Sequence, residues 1–401
     1  MRTWRVSFIA LVLPCLVAVP NTALPCTTFL LNQDGPVVGK SYDWSLHDGL
    51  VLINKRNVKK VAITFETAQV SAEWISKYQS VTFNQYGREL PNSGMNEKGL
   101  VVEVMWLDSS IDEPTDSRPT VNELQWLQRS LDLYASVAEL VAELPSVRIV
   151  TAFGRLHYLA CDATLACAAI ELVSGELVVS TGASLPVATL TNNTYADSLD
   201  YLSQFEGFGG THPLPSGSGS LPRFARAASL SQNPTEATGL DSAVAVLDSV
   251  SQGSFSKWNL IYFPSTRRVY FRTYNQPTLK WLGLSKFDPS CDTPVMALDI
   301  DSPLEGSVTT AFVPYTSELN DALLDKTVGP NQAYLPNGTL AVVQRYPETT
   351  VCQNNVVQEP TDTTHAATTD NDAGGCKSQP GSMMGALLVV SLLVGRRRTQ
   401  V

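Results

Sequence analysis

Short apolar runs with the length of β-strands alternate along this chain with segments in which apolar residues recur every three or four positions. The strand-like runs predict a first group of strands at residues 26–31, 37–42, 51–53, 58–65, 99–106, 149–159 and 168–180. The first two runs are separated by Asn-Gln-Asp-Gly-Pro, a composition typical of hairpin turns. A second pair of strands is predicted at residues 258–263 and 268–274.

Helical spacing of leucine, valine and alanine predicts helices at residues 121–133, 136–144 and 241–249. These helices come in blocks between groups of strands and do not follow each strand in turn. Such an order favours an α+β fold in which two stacked antiparallel sheets are covered by helices.

The amino terminus predicts export. Two arginines lie within the first five residues, and the apolar stretch that follows, residues 6–19, is too short to span a bilayer. Residues 1–25 are interpreted as a secretory signal peptide and pre-segment, because small residues near Ala23 suit a signal peptidase. Two more residues must then be trimmed before Cys26 becomes the first residue. A lipoprotein signal is the alternative, but the residues before Cys26 fit its motif poorly.

The carboxyl end changes in composition. Residues 353–381 are rich in Thr, Asp, Asn, Gln and Gly, which predicts a disordered polar linker. Residues 382–401 hold a short apolar helical run and an arginine cluster, and with Gly375-Cys376 upstream they resemble a myxobacterial-type C-terminal sorting signal. A simple membrane tail is the alternative. Both interpretations predict a folded body, residues 26–352, in the periplasm or on the outer cell surface, with membrane contact through the tail alone.

Charge argues against one class of partner. The chain has 28 Lys and Arg against 38 Asp and Glu, a formal net charge of -10, and no basic stripe in its body. Nucleic acid is therefore not an expected partner, because phosphate binding needs clustered cationic side chains.

Four cysteines accompany Cys26 in the predicted body. In an oxidising compartment Cys161 and Cys167 would bridge the two arms of a hairpin, and Cys291 would pair with Cys352. Four unpaired, mostly buried thiols are the alternative. Because the cysteines and the four histidines lack metal-ligand spacing, no metal and no cofactor are predicted.

A cysteine at a newly created amino terminus carries a nucleophile and a base in one residue. A free thiol, with a pKa of about 8.5, is mostly protonated at neutral pH and needs a base to become reactive. The α-amino group, with a pKa of about 8, can accept that proton. Proteolysis before Cys26 would create both groups together, and no histidine would be required.

Five segments of the body resemble one known family. They are Cys-Thr-Thr-Phe at 26–29, Val-Gly-Lys-Ser-Tyr-Asp-Trp at 38–44, Gly-Met-Asn-Glu-Lys-Gly-Leu at 94–100, Leu-Thr-Asn-Asn at 190–193 and Pro-Arg-Phe-Ala-Arg at 222–226. In this order they resemble the choloylglycine hydrolase family, which includes penicillin V acylases and bile salt hydrolases and belongs to the amino-terminal-nucleophile (Ntn) hydrolases. The resemblance runs to about residue 315 and implies a four-layer αββα sandwich.

The resemblance also implies roles for four residues. Cys26 would attack the substrate carbonyl, and Asp43 would orient the ammonium of the same cysteine. Asn192 would donate its side-chain amide to the oxyanion, and the Arg223 guanidinium would favour thiolate over thiol. Without the resemblance, Asp43 and Asn192 would be interpreted as turn residues and Arg223 as a surface residue at a helix start.

Two positions depart from the family pattern. Lys40 stands where the family usually has arginine, so a bidentate contact to Asp43 or to a substrate carboxylate would become a single point charge. Trp106 stands where characterised members carry asparagine or tyrosine. Its indole would narrow the pocket and favour an apolar or aromatic acyl group over a bulky sterol, while a simple core role is the alternative.

The predicted function is hydrolysis of a linear amide C–N bond through an acyl-cysteine intermediate, on a small-molecule acyl amide such as a penicillin V-like amide or an acyl-homoserine lactone. A bile salt hydrolase and a catalytically weak surface binding protein on the same scaffold are the alternatives. A papain-like thiol protease is disfavoured, because His47, His157 and His212 lack the expected context. The resemblance also makes a homo-oligomer possible.

Overall fold

A computed structural model describes residues 26–65 and 69–353. The strands are β1 (Thr27–Asn32), β2 (Pro36–Asp43), β3 (Leu50–Asn54), β4 (Val58–Val61), β5 (Glu73–Ile75), β6 (Ser80–Asn84), β7 (Ser93–Asn96), β8 (Val101–Trp106), β9 (Thr120–Asn122), β10 (Arg148–Val150), β11 (Leu156–Cys161), β12 (Cys167–Val173), β13 (Glu176–Thr181), β14 (Thr189–Leu190), β15 (Ser256–Phe263), β16 (Arg268–Thr273), β17 (Lys280–Gly283), β18 (Met296–Asp299), β19 (Gly306–Ser307), β20 (Val313–Pro314) and β21 (Val351–Cys352).

Helices separate these strands in blocks. The α-helices of the described ranges are α1 (Glu123–Leu133), α2 (Val137–Glu143), α3 (Tyr195–Leu202), α4 (Ser220–Gln232), α5 (Gly239–Val250), α6 (Ser317–Thr327) and α7 (Thr339–Arg345). The predicted helix at 121–133 begins two residues late because the Asn122 side chain accepts a hydrogen bond from Gln125 N and caps the helix.

Two large sheets form the centre of the fold. The first sheet has the strand order β14-β1-β2-β15-β16-β17-β19, and the second has the order β13-β12-β11-β8-β7-β6-β3-β18-β20. Paired strands are antiparallel in both sheets, apart from the short parallel pair of β17 with β19. Strands such as β2, β3 and β6 are buried along their whole length. Strand β3 accordingly has the nearly continuous apolar sequence Leu-Val-Leu-Ile-Asn, as expected when both faces of a strand are covered, whereas β2 and β6 also bury polar residues.

The sheets and helices stack in four layers. One apolar cluster joins the facing sides of the sheets and includes Val38 and Leu260 of the first sheet with Val81 and Met95 of the second. On the outer side of the first sheet, α4 and α5 pack against β1, β2 and β15. On the outer side of the second sheet, α1 packs against β7 and β8, and α2 against β12. The predicted α+β αββα sandwich is confirmed.

Two predicted strands are each divided in two. The run at 149–159 forms β10 and β11 with a connection between them, and the run at 168–180 forms β12 and β13. Ser174 and Gly175 join the latter pair with φ values of 55° and 82°, the left-handed conformation that a two-residue hairpin turn needs. The predicted hairpin at 258–274 is confirmed as β15 and β16.

Both predicted disulfides are present. Cys161–Cys167 joins β11 to β12. Cys291–Cys352 joins the segment before β18 to β21. Among the described cysteines, Cys26 is the one outside a disulfide.

The predicted signal peptide and almost all of the predicted linker and sorting tail lie outside the described residues. Within the two described ranges, no helix combines the length and apolar character needed to cross a membrane.

The two disulfides should stabilise the fold unequally. Cys291 and Cys352 are 61 residues apart, whereas Cys161 and Cys167 are only 6 apart. Loop-closure entropy gives about 4 kcal/mol for the long loop and about 2 kcal/mol for the short one. Urea unfolding of Cys291→Ser/Cys352→Ser and of Cys161→Ser/Cys167→Ser, each against wild type, measures the two losses. A larger loss from opening the short loop would contradict this expectation.

Candidate active site

Cys26 lies at the start of β1, where the first sheet faces the second. Its side chain is buried, with 4% of its surface exposed. The Cys26 main-chain nitrogen donates to Asn192 Oδ1 at 3.0 Å, and its carbonyl oxygen accepts from Arg223 Nη1 at 2.7 Å. The thiol lies 3.8 Å from the carbonyl oxygen of Asp43. The structure thus brings four of the predicted site residues together around one sulfur atom.

Arg223 holds this arrangement from α4. Its guanidinium is fully buried and donates to the Cys26 carbonyl, to Thr27 Oγ1, to Asn192 Oδ1 at 2.9 Å and to Ser218 O at 3.1 Å. Burial lowers the pKa of Arg223, and the neighbouring Asp43 and Cys26 oppose that effect. Because one of these bonds goes to the Cys26 carbonyl and others to Thr27 and Asn192 beside it, the guanidinium fixes the position of the nucleophile's backbone.

Asn192 connects the cysteine to the second sheet. Its Oδ1 accepts from both Cys26 N and Arg223, while its Nδ2 donates to the carbonyl oxygen of Trp106 at 3.0 Å. Its own main-chain nitrogen donates to Ser220 Oγ at 2.9 Å. An amide NH₂ has two hydrogens, so one remains after the bond to Trp106 for an oxyanion.

Asp43 ends β2 beside the thiol and is fully buried. Its Oδ1 accepts from Ser41 Oγ at 2.8 Å and from Ser256 Oγ. Its Oδ2 is also buried and accepts no hydrogen bond from the described residues. Burial raises the pKa of Asp43 to about 6, although Arg223 and the two hydroxyl donors lower it. Asp43 is therefore an anion at neutral pH with one oxygen still able to accept.

Lys40 does not line the cavity among the described residues. It is fully buried, and its ammonium pairs with Glu103 Oε2 at 3.0 Å. It also donates to Asn92 O at 3.2 Å and to Val104 O. With Glu103 as its ion-pair partner and two carbonyl oxygens as acceptors, Lys40 provides a point charge near Cys26, where the sequence led us to expect a substrate contact.

The surroundings hold the Cys26 thiol in its neutral form. Burial is the largest effect and raises the pKa of Cys26, and the Asp43 carboxylate raises it as well. Lys40 lowers this pKa, and Arg223 lowers it less. The two cations do not outweigh the cost of burying a thiolate, so attack on a carbonyl requires a base that takes the thiol proton.

An apolar cavity of about 310 Å³ opens above the sulfur. The residues that line it are Cys26, Tyr42, Trp44, Ser45, Tyr86, Asn92, Val104, Trp106, Glu123, Leu124, Phe153, Gly154, Leu156, Thr327, Val328, Asn331 and Leu335. Five of these are aromatic, and the volume is near the lower limit for small-molecule sites. The cavity suits a small apolar or aryl group.

Trp106 forms one side of this cavity in a fixed orientation. Its ring lies against Trp44, with 5.8 Å between ring centroids, and its Nε1 donates to Asp108 Oδ1. Gly154 lies against the other side, since a Cβ there would come within 2.7 Å of Cζ3 of the indole. The sequence predicted Trp106 as a pocket residue, and its place on the wall agrees with that role.

One buried pair beside Asn192, His157 with Glu171, was not predicted from the sequence. His157 is fully buried, and its ring nitrogens contact Glu171 Oε1 at 2.9 Å and Thr191 O at 2.7 Å. Glu171 also accepts from Tyr195 N. The pair therefore holds the chain on both sides of Asn192. The sequence did contain a signal for this pair, since His157 and Glu171 each lie inside a predicted apolar strand. A polar side chain in such a strand is buried only when it has a hydrogen-bond partner.

Sequence comparison identifies the family. The family profile described as linear amide C–N hydrolases, choloylglycine hydrolase family, matches residues 26–297. The chain belongs to this family. The matched range contains every residue of the candidate site described above except Thr327, Val328, Asn331 and Leu335, which line the cavity.

Individual members of the family are more distant. Penicillin V acylase of Pectobacterium atrosepticum is 29% identical over 239 residues, which cover 54% of this chain and 62% of that protein. The chain thus spans about three-fifths of the length of this curated relative.

Solved structures extend the comparison. Penicillin V acylase from Agrobacterium tumefaciens superposes with a TM-score of 0.64 at 25% identity, over 73% of this chain and 98% of that chain. A conjugated bile acid hydrolase from Clostridium perfringens gives 0.57 at 19% identity, over 68% and 96% of the two chains, and shows the shared fold alone.

Ser256 should tune the charge of Asp43. Ser256→Ala removes one of two hydroxyl donors to Asp43 Oδ1, which stabilise the carboxylate. We expect the pKa of Asp43 to rise from about 6 by about one pH unit, since such a bond contributes about 1.5 kcal/mol. As the solution is acidified, the Asp43 carboxylate of the variant would become protonated at a higher pH than that of wild type. NMR titration of the carboxyl carbon, assigned with Asp43→Asn, measures the midpoint.

Ser249→Ala is the matched control, because the Ser249 hydroxyl donates to Val246 O inside α5. The midpoint should not move in this variant. An Asp43 midpoint at or below the wild-type value in Ser256→Ala would contradict the assignment.

Proposed function

We propose that this protein hydrolyses linear amide C–N bonds through an acyl-cysteine intermediate, with Cys26 as nucleophile and its own α-amine as base once residues 1–25 are removed. The observation that carries the proposal is the hydrogen-bonded frame of Asn192 and Arg223, which holds both main-chain ends of Cys26 at the floor of an apolar cavity.

The first step forms the bond between Cys26 Sγ and the carbonyl carbon. The thiol proton passes to the α-amine of the same residue, whose remaining hydrogens donate to Asn192 Oδ1 and to Asp43. The buried Oδ2 of Asp43 supports this, because it is an acceptor with no partner among the described residues. While Cys26 N belongs to a peptide bond it cannot take a proton, so the uncleaved chain would lack its base.

The carbonyl oxygen gains negative charge in this step. We expect the second hydrogen of Asn192 Nδ2 to stabilise it, and losing a donor of this kind costs about a hundred- to a thousandfold in turnover. The ammonium then gives its proton to the leaving nitrogen as the C–N bond breaks. Water, activated by the same amine, releases the acid from the thioester and restores Cys26.

The shape of the cavity supports a compact acyl group. Its aromatic lining and modest volume favour a phenoxyacetyl-like or fatty acyl amide, including the amide of an acyl-homoserine lactone, over a rigid sterol conjugate. The penicillin V acylases among the relatives support the same substrate class.

We further propose that the protein acts outside the cytoplasm, on the cell surface or in the periplasm. Two disulfides support this location, since such bonds persist in oxidising compartments. The leader and tail predicted from the sequence would direct and tether the folded body.

A substrate panel with one nucleophile variant tests the activity. Protein exported by a host that removes residues 1–25, checked by intact mass, should release phenoxyacetate from penicillin V faster than glycine from glycocholate. A long-chain acyl-homoserine lactone completes the panel. Cys26→Ser should lose at least about a hundredfold in turnover, because the serine hydroxyl is far less acidic and a weaker nucleophile.

Two results would contradict the proposal. Equal turnover by wild type and Cys26→Ser would exclude the nucleophile. Preference for glycocholate over penicillin V would exclude the compact acyl group while leaving the reaction class intact.

A further inference from the structure

One wall of the cavity comes from outside the range matched by the family profile. Thr327, Val328, Asn331 and Leu335 line the cavity together with Cys26, whereas the profile ends at residue 297. We propose that the C-terminal segment, residues 313–352, forms the acyl-binding wall of the site and sets which acyl groups reach Cys26. This inference rests on the proposed function for its catalytic meaning.

The segment shares an apolar core with the family domain at the cavity. Val328, 2% exposed, lies in the same cluster as Leu124 of α1, and both residues line the cavity. Phe153 and Leu156 also line the cavity and pack against this cluster, as does Leu335. The wall is therefore continuous with the hydrophobic core and is not a loop resting on it.

Helix α6 fixes the near end of this wall. Asn320 of α6 is fully buried, and its Oδ1 accepts from Arg88 N at 2.8 Å. Leu324, one turn later, packs against Gly87, where a Cβ would come within 3.1 Å of the leucine. Gly87 also has a φ of 91°, so glycine is required there both for the turn and for the contact.

Strand β21 fixes the far end. It pairs with β4 through Val351 and Cys352, and Cys352 is bonded to Cys291 of the matched range. Gln353 N continues the pairing by donating to Asn57 O at 2.7 Å. Because both ends are attached to residues of the matched range, the segment holds a fixed position along the cavity.

The wall is apolar in chemistry as well as in shape. The Thr327 hydroxyl donates to Leu323 O at 3.0 Å, and Asn331 Nδ2 donates to Thr327 O at 2.8 Å. These hydrogen bonds lie within the segment, and Val328 and Leu335 contribute apolar side chains to the same cavity as Trp106 and the other aromatic residues. Uncharged aryl or alkyl acyl groups fit between such surfaces, and the length of the group is limited where the wall ends.

Leu335 offers the sharpest test, because it is partly buried and its side chain reaches the cavity. In mature protein with Cys26 first, Leu335→Ala should raise kcat/KM for decanoyl relative to phenoxyacetyl amides of one amine by about tenfold, and Leu335→Trp should lower it by a similar factor. The ratio of kcat/KM between two amines that carry the same acyl group should stay constant, since the proposed wall contacts the acyl group and not the amine.

Val342→Ala is the matched control. Val342 is an aliphatic residue of the same segment, on α7, with 38% of its surface exposed and no part in lining the cavity among the described residues. In this variant the ratio of kcat/KM for decanoyl to phenoxyacetyl amides should equal that of wild type. Melting temperatures of the three variants show whether each remains folded.

A second readout separates this inference from the catalytic proposal. Decanoate and phenoxyacetate should each protect the Cys26 thiol from iodoacetamide, and the Leu335 variants should change the order of protection. Unchanged acyl ratios together with unchanged protection would overturn the proposed wall. A changed order of protection without any amide hydrolysis would support the wall and contradict the proposed function.

Discussion

The site depends on one buried cation, the guanidinium of Arg223. It joins three elements that are far apart in the chain: α4, the start of β1 and the turn that carries Asn192. Without it, the carbonyl of Cys26 and the side chain of Asn192 would be buried with fewer partners, which is costly. The charge of Arg223 is itself tolerable because it lies near Asp43 and donates to four oxygens.

A buried ion pair, Lys40 with Glu103, also lies near the thiol. Since Lys40 is held by Glu103 and two carbonyl groups, it influences Cys26 through its field and not through contact. The resulting environment favours the neutral thiol. Attack by the thiol therefore requires a base, and we propose that the α-amine of Cys26 supplies it.

Much of the fold followed from local pattern. The hairpin of β1 and β2 was predictable because buried strands contain short apolar runs. The helices α1, α2 and α5 were predictable because helix packing places apolar residues at a period near 3.6. The turn between β12 and β13 was missed because Ser174-Gly175 is short and sits inside one apolar run. Helix α3 was missed as well, since its sequence is rich in Asp, Ser and Tyr.

The candidate site residues were predicted from motifs, whereas their partners in the fold were not. Asp43 and Asn192 have sequence neighbours that carry a family pattern, whereas Ser256 and His157 come close to the site only through sheet pairing and packing. The C-terminal wall lay beyond any motif in the sequence. Contacts between residues hundreds of positions apart are set by topology, which short-range patterns do not contain.

The free amine of Cys26 is the centre of this account, and a matched pair of proteins tests it most directly. One begins at Cys26, and the other keeps a single alanine before it. We expect both to fold with similar melting temperatures and to react with iodoacetamide at Cys26, while the extended form loses about a hundredfold or more in amide turnover for want of its base. Equal turnover by the two forms would contradict the account.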